Sequence, residues 1–343
     1  MSMICIQFPD GSKKEFPKGV TAQKIAESIG SRLAREAVAA KVDGELVDLN
    51  RPIENDAQVM IVTASTPEGL EVLRHSTAHL MAHALQRLYP GTQLAIGPVV
   101  ENRFYYDVRG PRAITTDDFS AIEAEMERLA KEDLPIERQE ISKDEARRLF
   151  EELNEPFKLE LVEELEEGKI TVYKQGGFAD LCRGPHVPST GRLRVFKLLS
   201  VAGAYWRGDA ERPQLQRVYG TAWAKRSDLD AYLHQLEEAA KRDHRKLGQE
   251  LGLFSFREEA PGFVFWHPKG WTLYRLLEDF SRQIQSARGY SEISTPWILR
   301  SSLWERSGHW DHYRENMFLI DNEDEPMGCK PMNCPAHCLL YKA

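Results

Sequence analysis

Three histidines, His75, His79 and His83, recur every four residues, so on a helix their imidazoles share one face within mutual reach. The HxxxH spacing is one that offers two ligands to zinc. Ser76 follows His75 where HExxH would carry its glutamate, which disfavours metalloprotease chemistry. Taken alone, such a helix more often carries histidines that face water or cap neighbours. A second group shifts that balance. Asp180-Leu181-Cys182-Arg183-Gly184-Pro185-His186 places a carboxylate, a thiol and an imidazole on a glycine-bracketed turn, the kind of loop that carries function. If helix and turn converge, they gather three or four proton carriers or metal ligands, as a hydrolytic site with or without zinc requires. Arg183 beside Cys182 raises a further reading, a thiol of lowered pKa acting as nucleophile; a structural or substrate-binding thiol stands against it.

Other candidates are weaker. Cys329, Cys334, His337 and Cys338 lie close together, but their spacing matches no paired-CxxC finger. The aromatic run Phe104-Tyr105-Tyr106 could stack a base, although such a run is more often core strand. Lys241, Arg242, Arg245 and Lys246 form a basic helix face that either meets nucleic acid or is solvated with Glu237 and Glu238 as partners.

The elements that must position these residues fall into stretches. Ile4, Ile6 and Phe8 alternate before Asp10-Gly11, predicting a hairpin; Thr21 caps a helix that Gly30 stops; Val42-Asp43-Gly44-Glu45-Leu46 reads as another hairpin and Val59 to Val62 as a last strand. That order is the β-grasp pattern, over 1–63. An α+β domain follows over 64–226, with a helix from Leu70 to Tyr89, a helix over Ile122, Met126 and Leu129, a strand near 136–141, a capping box at Ser142 and Glu145, and a strand at 170–173. A connecting helix is expected over 227–247. The third stretch, 248–343, holds an amphipathic helix around Leu273, Leu276, Leu277 and Phe280 and a strand through Ile293 to Pro296.

With 343 residues, 42% hydrophobic and 29% charged, the chain has apolar surface for more than one core, which excludes global disorder. The net charge of −8 argues against a protein that coats nucleic acid over its whole surface, while leaving a local basic patch open. No run of about 18 apolar residues occurs and the start is too alternating for a signal peptide, so no membrane span and a cytoplasmic location are expected. Five cysteines without a CxxC pair make a disulfide framework improbable.

Read together, these residues resemble the threonyl-tRNA synthetases, a class II aminoacyl-tRNA synthetase family, in order along the chain. The resemblance rests on the β-grasp start, of the TGS type; on His75-Ser76-Thr77-Ala78-His79 with Cys182-Arg183-Gly184-Pro185-His186; on Gly203-Ala204-Tyr205-Trp206-Arg207-Gly208; and on Phe265-Trp266-His267, Gly308-His309-Trp310 and Lys330-Pro331-Met332-Asn333-Cys334-Pro335. The two histidine motifs alone do not decide, since alanyl-tRNA synthetases and free-standing editing proteins have similar ones. The TGS start and the Met-Asn-Cys-Pro segment favour threonine.

The resemblance implies an α+β multidomain fold: a TGS domain, an editing domain, and the start of a class II antiparallel-sheet catalytic domain that builds a homodimer. It implies attachment of threonine to tRNA(Thr) with ATP and magnesium, and a zinc ion for which Cys334 is one ligand. It also implies hydrolytic editing of mischarged seryl-tRNA(Thr), because one methyl group separates serine from threonine and a binding difference of about 1–3 kcal/mol is too small for fidelity. By the family's pattern His75 and Lys158 organise water and proton transfer, Asp180 and Cys182 hold the seryl group, and His79 and His186 shape the pocket, without metal in the threonyl enzymes. Motif 2, motif 3, the anticodon-binding domain and the two histidine partners of Cys334 would lie beyond Ala343, and Ala336 stands where the family usually has Gly. The chain is therefore expected to be a fragment with an intact editing domain, unable by itself to aminoacylate. The alternatives are a free-standing aminoacyl-tRNA deacylase and a non-catalytic RNA-binding module.

Overall fold

The computed structural model describes residues 2–166, 168–322 and 324–343. The chain packs as two compact units, Met1–Ala239 and Ala240–Ala343.

The first unit opens with β1 (Met3–Gln7) and β2 (Lys13–Pro17), α1 (Ala22–Ile29), α2 (Ser31–Glu36), β3 (Ala37–Val42), β4 (Glu45–Val47) and β5 (Ala57–Thr63). They form one sheet in the order β2-β1-β5-β3-β4, with β1 parallel to β5 and the other pairs antiparallel. The Thr21 hydroxyl caps α1 and Gly30 ends it; the short α2 that follows was not legible in the sequence. Asp43 and Gly44 both take positive φ, +51° and +87°, the backbone a two-residue hairpin turn demands. Ile4, Ile6, Ile25 and Val59 close the core of this sheet. Val38, Ala39 and Val62 instead pack into the core of the elements that follow, so the first sheet shares its apolar interior with the rest of the unit.

The capping hydroxyl of Thr66 and Pro67 in the first turn start α3 (Pro67–Leu88), which carries the histidines. After it come β6 (Gln93–Leu94), β7 (Arg103–Arg109), α4 (Phe119–Glu132), β8 (Ile136–Ser142), α5 (Lys143–Glu152), α6 (Pro156–Glu164), β9 (Lys169–Gln175), β10 (Phe178–Leu181), β11 (Phe196–Tyr205) and β12 (Gln214–Ala222). One antiparallel sheet runs β11-β12-β7-β6 and another β8-β9-β10. Ser142 and Glu145 form the expected capping box on α5. α3 packs against α4, β7 and β12, and burial of Leu80, Met81, Ala84 and Leu85 holds it in the core.

In place of one helix over 227–247 there are two, α7 (Arg226–Lys241) and α8 (His244–Glu250). Asp243 interrupts them: its carboxylate accepts the Arg245 N–H at 2.8 Å and caps α8, a local bond that competes with helix continuation.

In the second unit, α9 (Pro268–Ala287) precedes a three-stranded antiparallel sheet in the order 298–300, 327–329, 319–320. The strand expected through Ile293 to Pro296 starts later, at Ile298, because Pro296 has no N–H for a ladder and restricts the residue before it. Trp304 is fully buried beneath this sheet, whereas Leu276, Leu277 and Phe280 on α9 are 61%, 70% and 60% exposed. Among the described residues no helix is long and apolar enough to cross a membrane.

Candidate functional site

α3 and the turn after β10 meet. The ligand atoms of His75, His79, Cys182 and His186 all lie within 4.8 Å of one another. Cys182 Sγ sits 3.3 Å from His75 Nε2 and 3.3 Å from His186 Nε2, and the Gly184 N–H points at the same sulfur. His75 and Cys182 are half-buried and His79 and His186 buried, so the group reaches the surface at its thiol edge. His83 does not join: it stacks on Phe178 and its Nδ1 accepts from the Gln175 amide at 3.2 Å.

The hydrogen bonds assign the proton on His186. Ser76 Oγ donates its single hydrogen to the Val72 carbonyl at 2.8 Å, and so accepts from the Val187 N–H and from His186 Nδ1 at 3.1 Å. With the proton on Nδ1, the Nε2 lone pair of His186 faces the Cys182 thiol. Ser76 stands where a metalloprotease would have glutamate, and here it orients the imidazole.

Behind this layer lies a buried ionic layer. Lys158 Nζ is 2.5 Å from Asp180 Oδ1, in ionic contact but outside hydrogen-bond geometry, and donates to Tyr106 Oη at 3.0 Å. The Tyr106 hydroxyl donates to Asp180 Oδ2, and His79 Nε2 is 3.4 Å from that same oxygen. Lys158 and Asp180 are 3% and 1% exposed, so each is committed to the other. Lys158 arrives on α6, whose first turn is held by Glu155: this buried carboxylate accepts from Gln86 Nε2 at 2.6 Å and from the Leu94 N–H at 2.7 Å.

A third support comes from the N-terminal sheet. Asp48, just past β4, accepts the His186 N–H and the Tyr173 hydroxyl, each at 2.8 Å. Gly184 makes that arrangement possible, since it has φ +72° and a Cβ there would lie 1.9 Å from Tyr173 Oη.

Burial dominates the electrostatics. It pushes the pKa values of His79 and His186 well below the ordinary range and lowers that of His75, so all three are neutral bases at pH 7. It pushes the Cys182 thiol up to about 12, with Asp180 adding to the rise. Burial and Asp180 thus work against a thiolate at Cys182, and exposed Arg183 is not among the groups that offset them. Tyr106 is held far above its ordinary range by burial and then by Asp180, so it stays a hydrogen-bond donor. Burial also raises Asp48, with the His186 N–H pulling it partway back, and raises Glu155 to about 7.

The donor set fits a zinc ion in composition: three imidazoles and a thiol, with sulfur–nitrogen separations of 3.3 Å close to the edges of a tetrahedron built on about 2.0–2.3 Å bonds. Cys334 is exposed at the start of the helix Cys334–Lys342 and belongs to no group of three or more ligands among the described residues, so these residues by themselves do not make a second zinc site.

All six residues expected at the site, His75, His79, Lys158, Asp180, Cys182 and His186, are thus brought together. Sequence reasoning missed Tyr106, Ser76 and Asp48. Strand alternation could have singled out Tyr106: it and Phe104 point into the core, while Tyr105 lies under the Arg217 guanidinium at 4.0 Å on the other face, so the aromatic run is core strand. Nothing local marks Asp48.

The fold and site define a carrier of the second additional domain shared by threonyl and alanyl tRNA synthetases: that family's model matches residues 170–219, and a TGS domain model matches 4–63. The threonine–tRNA ligase of Symbiobacterium thermophilum is 53% identical over 343 residues, covering 100% of this chain and 53% of its own. That of Halorhodospira halophila is 54% identical over 341 residues, covering 99% and 53%. Among solved structures, the RNA binding domain of threonyl-tRNA synthetase from Cryptosporidium parvum Iowa II matches at 48% identity over 29% of this chain and 26% of that one, with a TM-score of 0.29. Along its whole length the chain is similar to these threonine–tRNA ligases, and it carries matches to the TGS domain and to the second additional domain of threonyl and alanyl tRNA synthetases. It spans about half the length of the curated relatives it matches.

Proposed function

We propose that this chain hydrolyses the ester of mischarged seryl-tRNA(Thr). The observation that carries the reading is the convergence of a neutral imidazole edge, His75 and His186 about Cys182, with the buried Lys158–Asp180–Tyr106 layer. Asp180, in the layer behind the imidazoles and paired with Lys158, acts on the α-ammonium of the seryl group through its field, and Cys182, as a neutral thiol, offers a small polar contact. His75, half-buried at the outer edge of the group and unprotonated at pH 7, takes the proton as water attacks the ester carbonyl, and returns it to the ribose 3′ oxygen as the ester C–O bond breaks, leaving free serine and tRNA. Lys158 supports this step by holding Asp180 and Tyr106 and by its positive field behind the developing oxyanion. His79 and His186 pack the floor against Phe178 and Tyr173, where a substrate bearing the extra methyl of threonine would have to displace rigid rings.

Were a metal bound there, His75, His79, Cys182 and His186 would hold it and it would supply a Lewis acid; in the proposed reading the chain's own residues suffice. Measuring serine release from seryl-tRNA(Thr) tests the proposal: His75→Ala is expected to slow it by at least about 100-fold, the range of general-base loss, and threonyl-tRNA(Thr) to be spared. Equal rates for wild type and His75→Ala reject it.

For the protein of the relatives' full length we infer ATP- and magnesium-dependent attachment of threonine to tRNA(Thr) in the cytoplasm, with residues 248–343 contributing to a class II catalytic domain and Cys334 to its zinc. The exposed apolar side of α9 supports a homodimer contact in that domain.

A further inference from the structure

The first unit carries a groove lined by none of the histidine–cysteine group. Its volume is about 590 Å³. Five cations line it: Arg32 and Arg35 of α2, Arg192 and Arg194 from the segment before β11, and Lys225 ahead of α7; a single carboxylate, Glu36, accompanies them among the described lining residues. The excess of four positive charges is local, since the chain as a whole carries −8. The walls are built rather than adventitious. The buried side of Arg192 donates to the Arg35 carbonyl and, at 3.1 Å, to the Ala34 carbonyl, tying the last turn of α2 to the segment that bears Arg194. Burial works against the Arg192 cation, and the charge of Arg194 adds to that cost while Asp133 offsets part of it. Crowding cations in this way is unfavourable without an anion to receive them.

The groove also presents one aromatic face. Trp223 lines it, half-buried, with its ring fixed by an Nε1–H bond to Thr221 at 2.9 Å and backed by the Arg74 guanidinium 4.8 Å away. Arg74 is 5% exposed; its Nη1 donates to the Glu101 carbonyl at 3.1 Å, while its Nε and Nη2 have no hydrogen-bond partner, so a buried and only partly satisfied guanidinium lies under that ring. In the groove Arg32 is paired with Glu36 at 2.9 Å; in the basic helix expected from the sequence, Arg245 is paired with Asp243 at 2.8 Å and Lys246 with Glu250 at 3.9 Å.

We propose that this groove receives the sugar–phosphate backbone of the tRNA whose 3′ ester the site hydrolyses, with Trp223 against a ribose or base; this rests on the deacylase reading above. Several cations in line with one stacking ring match the chemistry of a single RNA strand edge.

The test uses the full chain and uncharged tRNA(Thr), with affinity measured by fluorescence anisotropy across a KCl series. The triple substitution Arg35→Gln, Arg194→Gln, Lys225→Gln is expected to reduce the slope of log K against log[KCl] by about 2–3, from roughly 0.7–0.9 per lost phosphate contact, and to weaken binding at least about tenfold near 0.1 M salt. The control Lys13→Gln, Arg109→Gln, Lys131→Gln removes the same formal charge elsewhere and is expected to leave the slope unchanged. Unchanged binding by a folded groove variant, or equal weakening by the control, overturns the proposal. So does competition by polyglutamate or inorganic phosphate as effective as that by RNA. If wild type fails to hydrolyse seryl-tRNA(Thr) while the groove variant alone loses RNA binding, the deacylase reading falls and the groove stands; hydrolysis with intact RNA binding by the groove variant means the reverse.

Discussion

Asp48 belongs to the N-terminal sheet, yet its carboxylate holds the backbone of His186 and the ring of Tyr173 against the site. Replacing it by alanine leaves a buried N–H and a buried hydroxyl without acceptors. An orphaned buried donor costs about 1–3 kcal/mol. If that cost appears as misplacement of His186 in the transition state, hydrolysis slows by about 5- to 150-fold, since about 1.4 kcal/mol is a factor of ten. Asp48→Asn behaves differently: its carbonyl oxygen can still accept the His186 N–H, and its amide can donate to Tyr173 Oη once that hydroxyl rotates, so most of the rate is retained. The assay is single-turnover hydrolysis of seryl-tRNA(Thr) at saturating enzyme, with circular dichroism confirming the fold of each variant. A folded Asp48→Ala protein that hydrolyses at the wild-type rate, or an Asp48→Asn protein as slow as Asp48→Ala, would refute the reasoning.

Glu155 predicts a pH dependence. Its folded pKa of about 7 lies above the ordinary 4.5, so the folded state holds this proton more tightly than the unfolded one. The stabilisation is fully present below pH 4.5 and is lost as pH rises through 7, by up to about 3 kcal/mol. Glu155→Gln should therefore gain stability relative to wild type between pH 5 and pH 8 in urea unfolding; parallel pH profiles would sink the assignment. Gly184→Ala places a methyl carbon 1.9 Å from Tyr173 Oη at a φ of +72°, so it should abolish most hydrolysis while leaving the far-UV spectrum intact, and retention of wild-type activity counts against the tight turn. Alkylation by iodoacetamide at pH 7.5, followed by mass spectrometry, should modify exposed Cys334 and Cys338 well before Cys182, whose thiol is held up to about 12; rapid labelling of Cys182 would restore the thiolate reading. Chelator treatment should leave seryl-tRNA(Thr) hydrolysis unchanged, and a loss reversed by added zinc would make the histidine–cysteine group a metal site.

Much of the architecture was legible because it is written in local signals. The i, i+4 spacing puts His75 and His79 on one helix face whatever surrounds them. Asp43-Gly44 can take the positive φ of a hairpin turn, and Ser142 with Glu145 closes a helix start within four residues. Where local signals compete, the sequence was less clear, as at Asp243, whose side-chain cap ends one helix and starts another, and at Pro296, which delays a strand.

By itself, then, the sequence determined which residues could do chemistry and on which helix or turn each would sit, because spacing and backbone preference act over a few residues. Their meeting was decided by the tertiary structure alone. Cys182 reaches His75 across 107 positions and Asp48 reaches His186 across 138, and the neutral thiol and imidazoles follow from the desolvation that this packing imposes. The same packing brings cations of α2, of the segment before β11 and of the residue ahead of α7 into one groove, although they come from three separate stretches of the chain.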